Sequence, residues 1–294
     1  MKKAPEHIRR IGIIANTEKP ASRNVVRRVA ALSTAAQREV WCDQATATFS
    51  AISCRTTPGM AALQRAVDLL VVCGGDGTIL RVVRELNGTR TPVFGINAGR
   101  LGFLTAVPSI QLSSAFEKIW QGDYAIETRP LIEAFGTLQG KEFRQLALND
   151  IVISRGAVSR LIELDVTVNS QPLTRYRCDG LIVSSPTGST AYSLSAGGAI
   201  VSPDADVFAI TPICPHTLSN RSVIVGLSSV IGVKILSEKV HTTISADGQF
   251  QVDLAAGDEI FIRRSRASIQ LLQLDGSSFF ETVRRKLHWS GSNV

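Results

Sequence analysis

An unbroken apolar run from Leu69 to Cys73 stops on Gly74-Gly75-Asp76-Gly77-Thr78, and apolar residues then recur at Ile79, Leu80, Val82, Val83 and Leu86. The run predicts a strand and the spacing behind it predicts a helix. Strand, glycine loop and helix, in that order, are how α/β proteins hold phosphate. Glycines let backbone N–H groups come close, and the helix N-terminus favours anions. A carboxylate inside such a loop would repel phosphate, so Asp76 asks for a chemical role, such as holding a metal or a hydroxyl group. Asp and Gly are also the commonest turn residues, so these residues alone leave an ordinary turn open. The loop is not G-x-x-x-x-G-K-[ST]. Gly75-Asp76-Gly77 begins a dinucleotide fingerprint, but Leu80 stands where its third glycine belongs.

Around this loop, strand and helix patterns alternate. Ile8 to Ala15 reads as a strand, Ser22 as the cap of a helix running to about Gln37, and Val40-Trp41-Cys42 as a second strand. Thr46 to Arg55 is ambiguous, and a helix from Gly59 to Val67 precedes the glycine loop. Thr91 to Ile96 is a strand ending in Asn97-Ala98-Gly99-Arg100-Leu101-Gly102-Phe103, and Leu112 to Trp120 is helical. Alternation of this kind predicts a parallel sheet with helices on its faces.

After Gly122-Asp123-Tyr124 the pattern becomes short β-rich runs: Leu131–Leu138, Phe143–Ser154, Leu161–Val168, Leu173–Arg177, Gly180–Ser184, Val207–Thr211, Ser229–Leu236, Val240–Ala246, Glu259–Arg263 and Ser268–Gln273. Turn signals such as Asn169-Ser170-Gln171-Pro172 and Ala256-Gly257-Asp258 separate them, the pattern of an antiparallel β sandwich. Phe279 to Leu287 reads as a helix returning to the first domain. The expected division is therefore an α/β domain over 1–125, an all-β sandwich over 126–275 and a tail over 276–294.

Composition narrows the function classes. No apolar stretch reaches the ~20 residues of a membrane span. The basic N-terminus leads into a run broken by Arg9 and Arg10, which is not a signal-peptide core. A cytoplasmic protein is expected. The five cysteines, Cys42, Cys54, Cys73, Cys178 and Cys214, are scattered without a C-x-x-C pair, which argues for reduced thiols, with Cys73 and Cys214 in the core. The net charge of +7 comes in short pairs with no RNA-binding aromatic signature, so nucleic acid is not an expected partner. The histidines, His7, His216, His241 and His288, lack the spacing of a metal site or a triad, and His216 is read as structural or as supporting a site residue rather than catalytic.

Three further stretches carry chemistry. Asn149-Asp150 interrupts apolar residues on both sides, either as a strand irregularity or as a polar site. Arg177-Cys178-Asp179-Gly180 leads through Leu181-Ile182-Val183 into a loop running from Ser184 to Gly198. Between Ser184 and Ser193 lie six Ser/Thr hydroxyls and Tyr192, a density suited to ribose, phosphate or an amide. No G-x-S-x-G is present, so this is not a nucleophile elbow. Ser245-Ala246-Asp247-Gly248-Gln249 is a hairpin signal.

Taken in order, Gly74–Thr78, Asn97–Phe103, Asn149-Asp150, Asp179–Gly198 and Thr211–Arg221 resemble the NAD kinase family over most of the chain. Gly-Gly-Asp-Gly-Thr alone is shared with phosphofructokinases and with diacylglycerol and sphingosine kinases. The run Thr187-Gly188-Ser189-Thr190-Ala191-Tyr192-Ser193-Leu194-Ser195-Ala196-Gly197-Gly198 is far more specific. The resemblance implies an α/β domain followed by a β sandwich, a homodimer or homotetramer, and ATP-dependent phosphorylation of NAD with a divalent metal, Mg2+ being expected. It implies that Asp76 accepts or orients the proton of the ribose 2′-hydroxyl, with Gly74, Gly75, Gly77 and Thr78 at phosphate. Phe103 is then near adenine, and Asn149 and Asp150 near the adenosine ribose. Thr187, Thr190, Ala191, Tyr192, Ser193 and Ser195 are at adenine or nicotinamide, and Asp179 is on the amide side. Arg160 and Gln249 align with further substrate positions. Arg81, one helical turn after Gly77, reads either as a phosphate contact or as a surface arginine. Family members usually carry Glu after the Asn; Asp150 keeps the charge and is one methylene shorter. Arg177 stands where NAD-specific members carry a polar or basic residue, which implies NAD over NADH. The competing readings are a lipid or sugar kinase of the same glycine-loop superfamily and a non-catalytic NAD-sensing module.

Overall fold

The computed structural model describes residues 8–99, 102–156, 160–217, 221–238, 240–276 and 278–289. The chain forms two compact units, Met1–Thr128 with Ile269–Val294, and Arg129–Ser268.

In the first unit, strands β1 (Arg10–Ala15), β2 (Glu39–Asp43), β3 (Arg55–Thr57), β4 (Leu69–Gly74) and β5 (Thr89–Asn97) are interleaved with helices α1 (Pro20–Ala35), α2 (Gln44–Ser50), α3 (Met60–Ala66) and α4 (Asp76–Leu86). These strands are parallel, in the order β3-β2-β1-β4-β5. A short β6 (Val107–Pro108) joins β5, and α5 (Leu112–Gln121) follows. Every residue of β4 is buried, as a parallel strand covered on both faces requires. Ile11, Ile13, Val71, Phe94 and Ile96 from the sheet pack with Val26 and Val29 of α1 and Phe116 and Ile119 of α5 in one core. The chain steps outward from β1 through β2 and β3, then returns to the other side of β1 for β4. Open α/β sheets bind ligands beyond the carboxyl ends of strands at such a reversal. Gly74-Gly75-Asp76 leaves β4 at that place.

The second unit is antiparallel. After β7 (Tyr124–Leu138) come β8 (Lys141–Ala147), β9 (Asp150–Arg155), β10 (Ile162–Val168), β11 (Gln171–Cys178) and β12 (Gly180–Ser184). A 3-10 turn (Thr187–Thr190) and the one-turn α6 (Tyr192–Ser195) precede β13 (Val207–Ile213), β14 (Val223–Gly226), β15 (Ile231–Ile235), β16 (Thr242–Ala246), β17 (Phe250–Leu254) and β18 (Glu259–Leu274). One sheet runs β14-β13-β12-β9-β16-β17; in the other, β11, β10, β15 and β18 are neighbours and β7 pairs with β18 and β8. Ile151, Ile153, Leu181, Val183 and Ile244 of the first sheet share a core with Leu164, Val166, Tyr176, Val233 and Ile260 of the second. The far half of β18 belongs to the first unit, where Ile269 and Leu271 pair in parallel with Thr89 and Val93 of β5. Helix α7 (Phe279–Leu287) follows it there.

Several local expectations are corrected. Ser22 is not the cap of α1. Pro20 opens the helix, with Lys19 in the cap position, because proline pre-sets the helical φ where no N–H is needed. Ser22 lies buried inside, and the helix stops at Ala35, short of Gln37, whose φ is +57°. The ambiguous Thr46–Arg55 stretch divides: Thr46–Ser50 lie in α2, capped by the Asp43 carboxylate, which accepts from Thr46 N–H at 2.7 Å, and Arg55 opens β3. The run Phe143–Ser154 divides into β8 and β9, which lie in different sheets. Glu259–Arg263 and Ser268–Gln273 are one strand. β14 and β17 fall outside the expected runs: β14 is only four residues long, and β17 alternates with polar Gln251 and Asp253. Cys214 is exposed at φ +44°, whereas Cys73 is buried. Burial pushes the Cys178 thiol up to about 12, which keeps it protonated.

Candidate active site

Asp76 is the first residue of α4, behind Gly75 in the cap position. Its carboxylate turns toward the chain that follows β5. Oδ2 accepts from Phe103 N–H at 2.7 Å and Oδ1 from Leu104 N–H at 3.2 Å. The approach is so close that a Cβ on Gly102 would lie 1.9 Å from Oδ1, so only glycine fits. The Thr105 hydroxyl accepts Gly102 N–H at 3.2 Å and Asn97 Nδ2–H at 3.3 Å, tying this loop to the end of β5. The Asn97–Phe103 motif is therefore the cradle of Asp76; its Arg100 and Leu101 lie outside the described residues. A carboxylate has about four acceptor positions, so two N–H bonds leave it capacity for a hydroxyl group.

The loop glycines divide by cause. A Cβ on Gly74 would sit 2.2 Å from Thr78 Oγ1, so packing requires that glycine. A Cβ on Gly75 or Gly77 meets nothing within 4 Å, and neither residue has a positive φ. Thr78 is buried. Arg81 donates from Nη2 to the Ala15 carbonyl at 3.0 Å, at the carboxyl end of β1, and its Nη1 lies 3.9 Å from Glu85. Phe103 is partly buried, with Lys286 Nζ 5.4 Å from its ring centroid.

In the second unit, Asn149 lies between β8 and β9 and is partly accessible, while Asp150, the first residue of β9, is only 4% exposed. Burial, with the Asp247 carboxylate nearby, raises the Asp150 carboxyl from 3.8 to about 7. The Asp247 carboxylate accepts backbone N–H groups from Leu148, Asn149 and Asp150 at 2.8, 2.7 and 3.2 Å. The hairpin signal was thus correct for β16–β17 and incomplete, since Asp247 also clamps a neighbouring segment. Nothing in an Asp-Gly pair announces that contact.

The hydroxyl-rich loop is less open than its composition suggests. Ser184, Ser185, Ser189 and Ser193 are each 0–1% exposed. Ser185 Oγ donates to the Leu148 carbonyl at 2.5 Å, and Ser189 Oγ to the Pro186 carbonyl at 2.7 Å. Ser193 faces inward, 3.1 Å from Thr211 Oγ1, so its hydroxyl holds the loop. Thr187 is also buried, near Arg129 at 3.5 Å. Thr190 and Ala191 are partly exposed, and Tyr192 and Ser195 exposed. Asp179 accepts from Arg155 Nε at 2.6 Å, an ion pair the sequence did not signal. Arg177 pairs with Glu163 at 3.1 Å, Arg160 is exposed, and Gln249 sits in the β16–β17 turn. The backbone N–H of His216 donates to the Arg177 carbonyl at 2.8 Å. Leu218 to Asn220 of the Thr211–Arg221 motif lie outside the described residues. Among the described residues, no three His, Cys, Asp or Glu side chains gather as a metal site.

Residues 11–124 match the family described as the ATP-NAD kinase N-terminal domain, and residues 148–274 the ATP-NAD kinase C-terminal domain. The NAD kinase of Moorella thermoacetica is 40% identical over 287 residues, covering 97% of this chain and 91% of that one. The NAD kinase of Laribacter hongkongensis is 38% identical over 285 residues, covering 96% and 97%. Among solved structures, yeast NADH kinase complexed with NADH gives a TM-score of 0.88 at 30% identity, over 98% of this chain and 89% of that one. An NAD kinase from Archaeoglobus fulgidus in complex with ATP gives 0.76 at 28%, over 96% and 100%. With both halves of the family's sequence matched in order, and the glycine loop, its Asn97–Phe103 cradle and the Thr187–Gly198 loop in place, this chain belongs to the ATP-NAD kinase family.

Proposed function

We propose that this protein transfers the γ-phosphoryl group of ATP to the 2′-hydroxyl of the adenosine ribose of NAD, giving ADP and NADP. The bond from ribose O2′ to the γ-phosphorus forms, the bond from that phosphorus to the β–γ bridging oxygen breaks, and the hydroxyl proton passes to Asp76 and on to solvent. Phosphoryl transfer has a loose transition state, so positioning and charge neutralisation do most of the work. A divalent ion, Mg2+ in our reading, enters on the phosphates of ATP as part of the substrate. Asp76, held by Phe103 and Leu104 N–H groups, orients the hydroxyl and accepts its proton late.

The single observation that carries the phosphate side is Gly77. Glycine costs a helix about 1 kcal/mol relative to alanine. At Gly77 neither φ nor packing asks for it, which supports space left beside the N-terminus of α4 for an outside group that a side chain would crowd. On the dinucleotide side the accessible groups are Asn149, Thr190, Ala191, Tyr192 and Ser195, and Asp150, next to Asn149, is buried. A carboxyl raised to about 7 carries its proton part of the time at neutral pH and can then donate to a ribose oxygen. The reading extends to NAD over NADH, to a homodimer or homotetramer, and to action in the cytoplasm, where ATP and NAD are at hand.

Purified protein incubated with Mg-ATP and either NAD or NADH, with NADP(H) measured enzymatically, tests this. Formation of NADP from NAD in preference to NADPH from NADH is expected. Intact NAD binding without NADP would replace the kinase reading with the sensing module.

A further inference from the structure

We infer that Asp247 is a positioning residue for the dinucleotide, its carboxylate gripping the Leu148–Asp150 backbone so that Asn149 and Asp150 are presented in one geometry. This rests on the kinase reading for the role of those two residues.

The need arises where the chain changes sheets. β8 ends at Ala147 and β9 starts at Asp150 in the other sheet, so the N–H groups between them leave one ladder before the next begins. Buried backbone donors must be paired somewhere. Asp247 takes three in succession: Leu148 on Oδ2, Asn149 and Asp150 on Oδ1. Its own N–H returns a bond to the Asp150 carbonyl at 3.0 Å. The opposite edge is held as well. Ser185 N–H donates to the Asn149 carbonyl at 2.8 Å and Ser185 Oγ to that of Leu148 at 2.5 Å. A Cβ on Gly188 would lie 2.1 Å from the Asn149 carbonyl oxygen, so the Thr187–Thr190 turn is pressed against the same residue. Of the groups on this segment's backbone, Asp247 is the charged one, and hydrogen bonds to a carboxylate are roughly twice as strong as neutral ones.

The turn does not explain the aspartate. Asp247 and Gly248 have φ of +51° and +63°, which Asn-Gly adopts equally well. Asparagine cannot accept with both terminal atoms. The aspartate also carries a cost, because it crowds the buried Asp150 carboxyl with negative charge. The three N–H bonds account for a carboxylate at that position; the hairpin alone does not.

Asp247→Asn keeps the turn and puts an NH2 group against Leu148 N–H; Asp247→Ala removes all three acceptors. Each is compared with wild type by thermal melting, by KM for NAD and for ATP, by kcat, and by calorimetric NAD binding. KM for NAD is expected to rise about tenfold in Asp247→Asn, the effect of losing one charge-assisted bond, and further in Asp247→Ala. KM for ATP should stay within about threefold in both, since a positioning effect on one substrate leaves the other's ground-state binding alone. A lowered melting temperature with unchanged KM and affinity for NAD would overturn the inference and leave Asp247 as a turn residue. Should Asp247→Ala not fold, Asp247→Asn decides alone, because the turn tolerates it. Wild type that binds NAD but makes no NADP would instead defeat the kinase reading, and the calorimetric comparison would still test Asp247.

Discussion

In the proposed role Asp76 has to hold its carboxylate still without spending all of its acceptor capacity. Two backbone N–H bonds from Phe103 and Leu104 do this, and the bare Gly102 lets them come close. Asp76→Asn keeps the size, removes the carboxylate as proton acceptor and sets an NH2 group against one of the two N–H donors. It is expected to lower kcat by about two orders of magnitude or more, with KM for NAD and ATP changed little. Near-normal kcat in steady-state assays would remove Asp76 from proton transfer. Asp150 gives a prediction about pH. Folded, it keeps its proton to about 7; the unfolded chain releases it near 4. Between those values the unfolded state binds fewer protons, so stability falls as pH rises, and the full penalty stands above 7. Asp150→Asn should therefore raise the melting temperature most at pH 8, with the gain shrinking toward pH 4. An equal gain at both ends would mean that Asp150 titrates normally.

At the scale of elements, α4 and the Ser184–Gly198 loop were written for different purposes. α4 buries Ile79, Leu80, Val82, Val83 and Leu86, with Thr78 the one polar residue among them, and this face seats it on the sheet and aims its N-terminus. Its first turn is then free to be chosen for chemistry. Gly77→Ala should stabilise the protein by up to about 1 kcal/mol in denaturant unfolding, while kcat/KM for ATP falls about tenfold, the effect of a methyl group between backbone and phosphate. A stabilised variant with full turnover would take phosphate away from this helix end. The loop, by contrast, uses several of its hydroxyls to bond itself and its neighbours Leu148, Val201 and Thr211. Ser185, Ser189 and Ser193 bond within the unit, so these hydroxyls are taken up in holding the loop's shape.

For the whole molecule, the two units are not two consecutive lengths of chain. The first takes back the end of β18 and helix α7 after the second has been completed. Leu272, 1% exposed, lies in the first unit's core, far in sequence from the β1, β4 and β5 residues it packs with. Leu272→Ala is expected to cost about 2–5 kcal/mol in denaturant unfolding, the cost of a cavity in that core. A loss below ~0.5 kcal/mol would mean that the terminal strand is not integral to it.

How much of this was legible depends on how local the cause is. The strand, the glycine break and the helix around Asp76 are encoded within about 18 residues by periodicity and turn chemistry, which act between near neighbours. The change from alternating helices to short strands near Tyr124 is local in the same sense, and the fold class follows from both. The amino-acid order by itself thus settles the fold class and most of the elements, and it singles out Asp76 as the candidate carboxylate. Tertiary structure alone decided the rest. Only the strand order shows that β4 ends beside a reversal of the sheet. Only the sheet change at Asn149 creates three N–H groups that need Asp247, 97 to 99 residues away. Burial, a property of the whole packed unit, separates Asp150 from an ordinary surface aspartate and the inward Ser193 from the exposed Ser195. Such pairings arise when distant segments are brought together to satisfy buried polar groups, and no periodicity along the chain records which segments will meet.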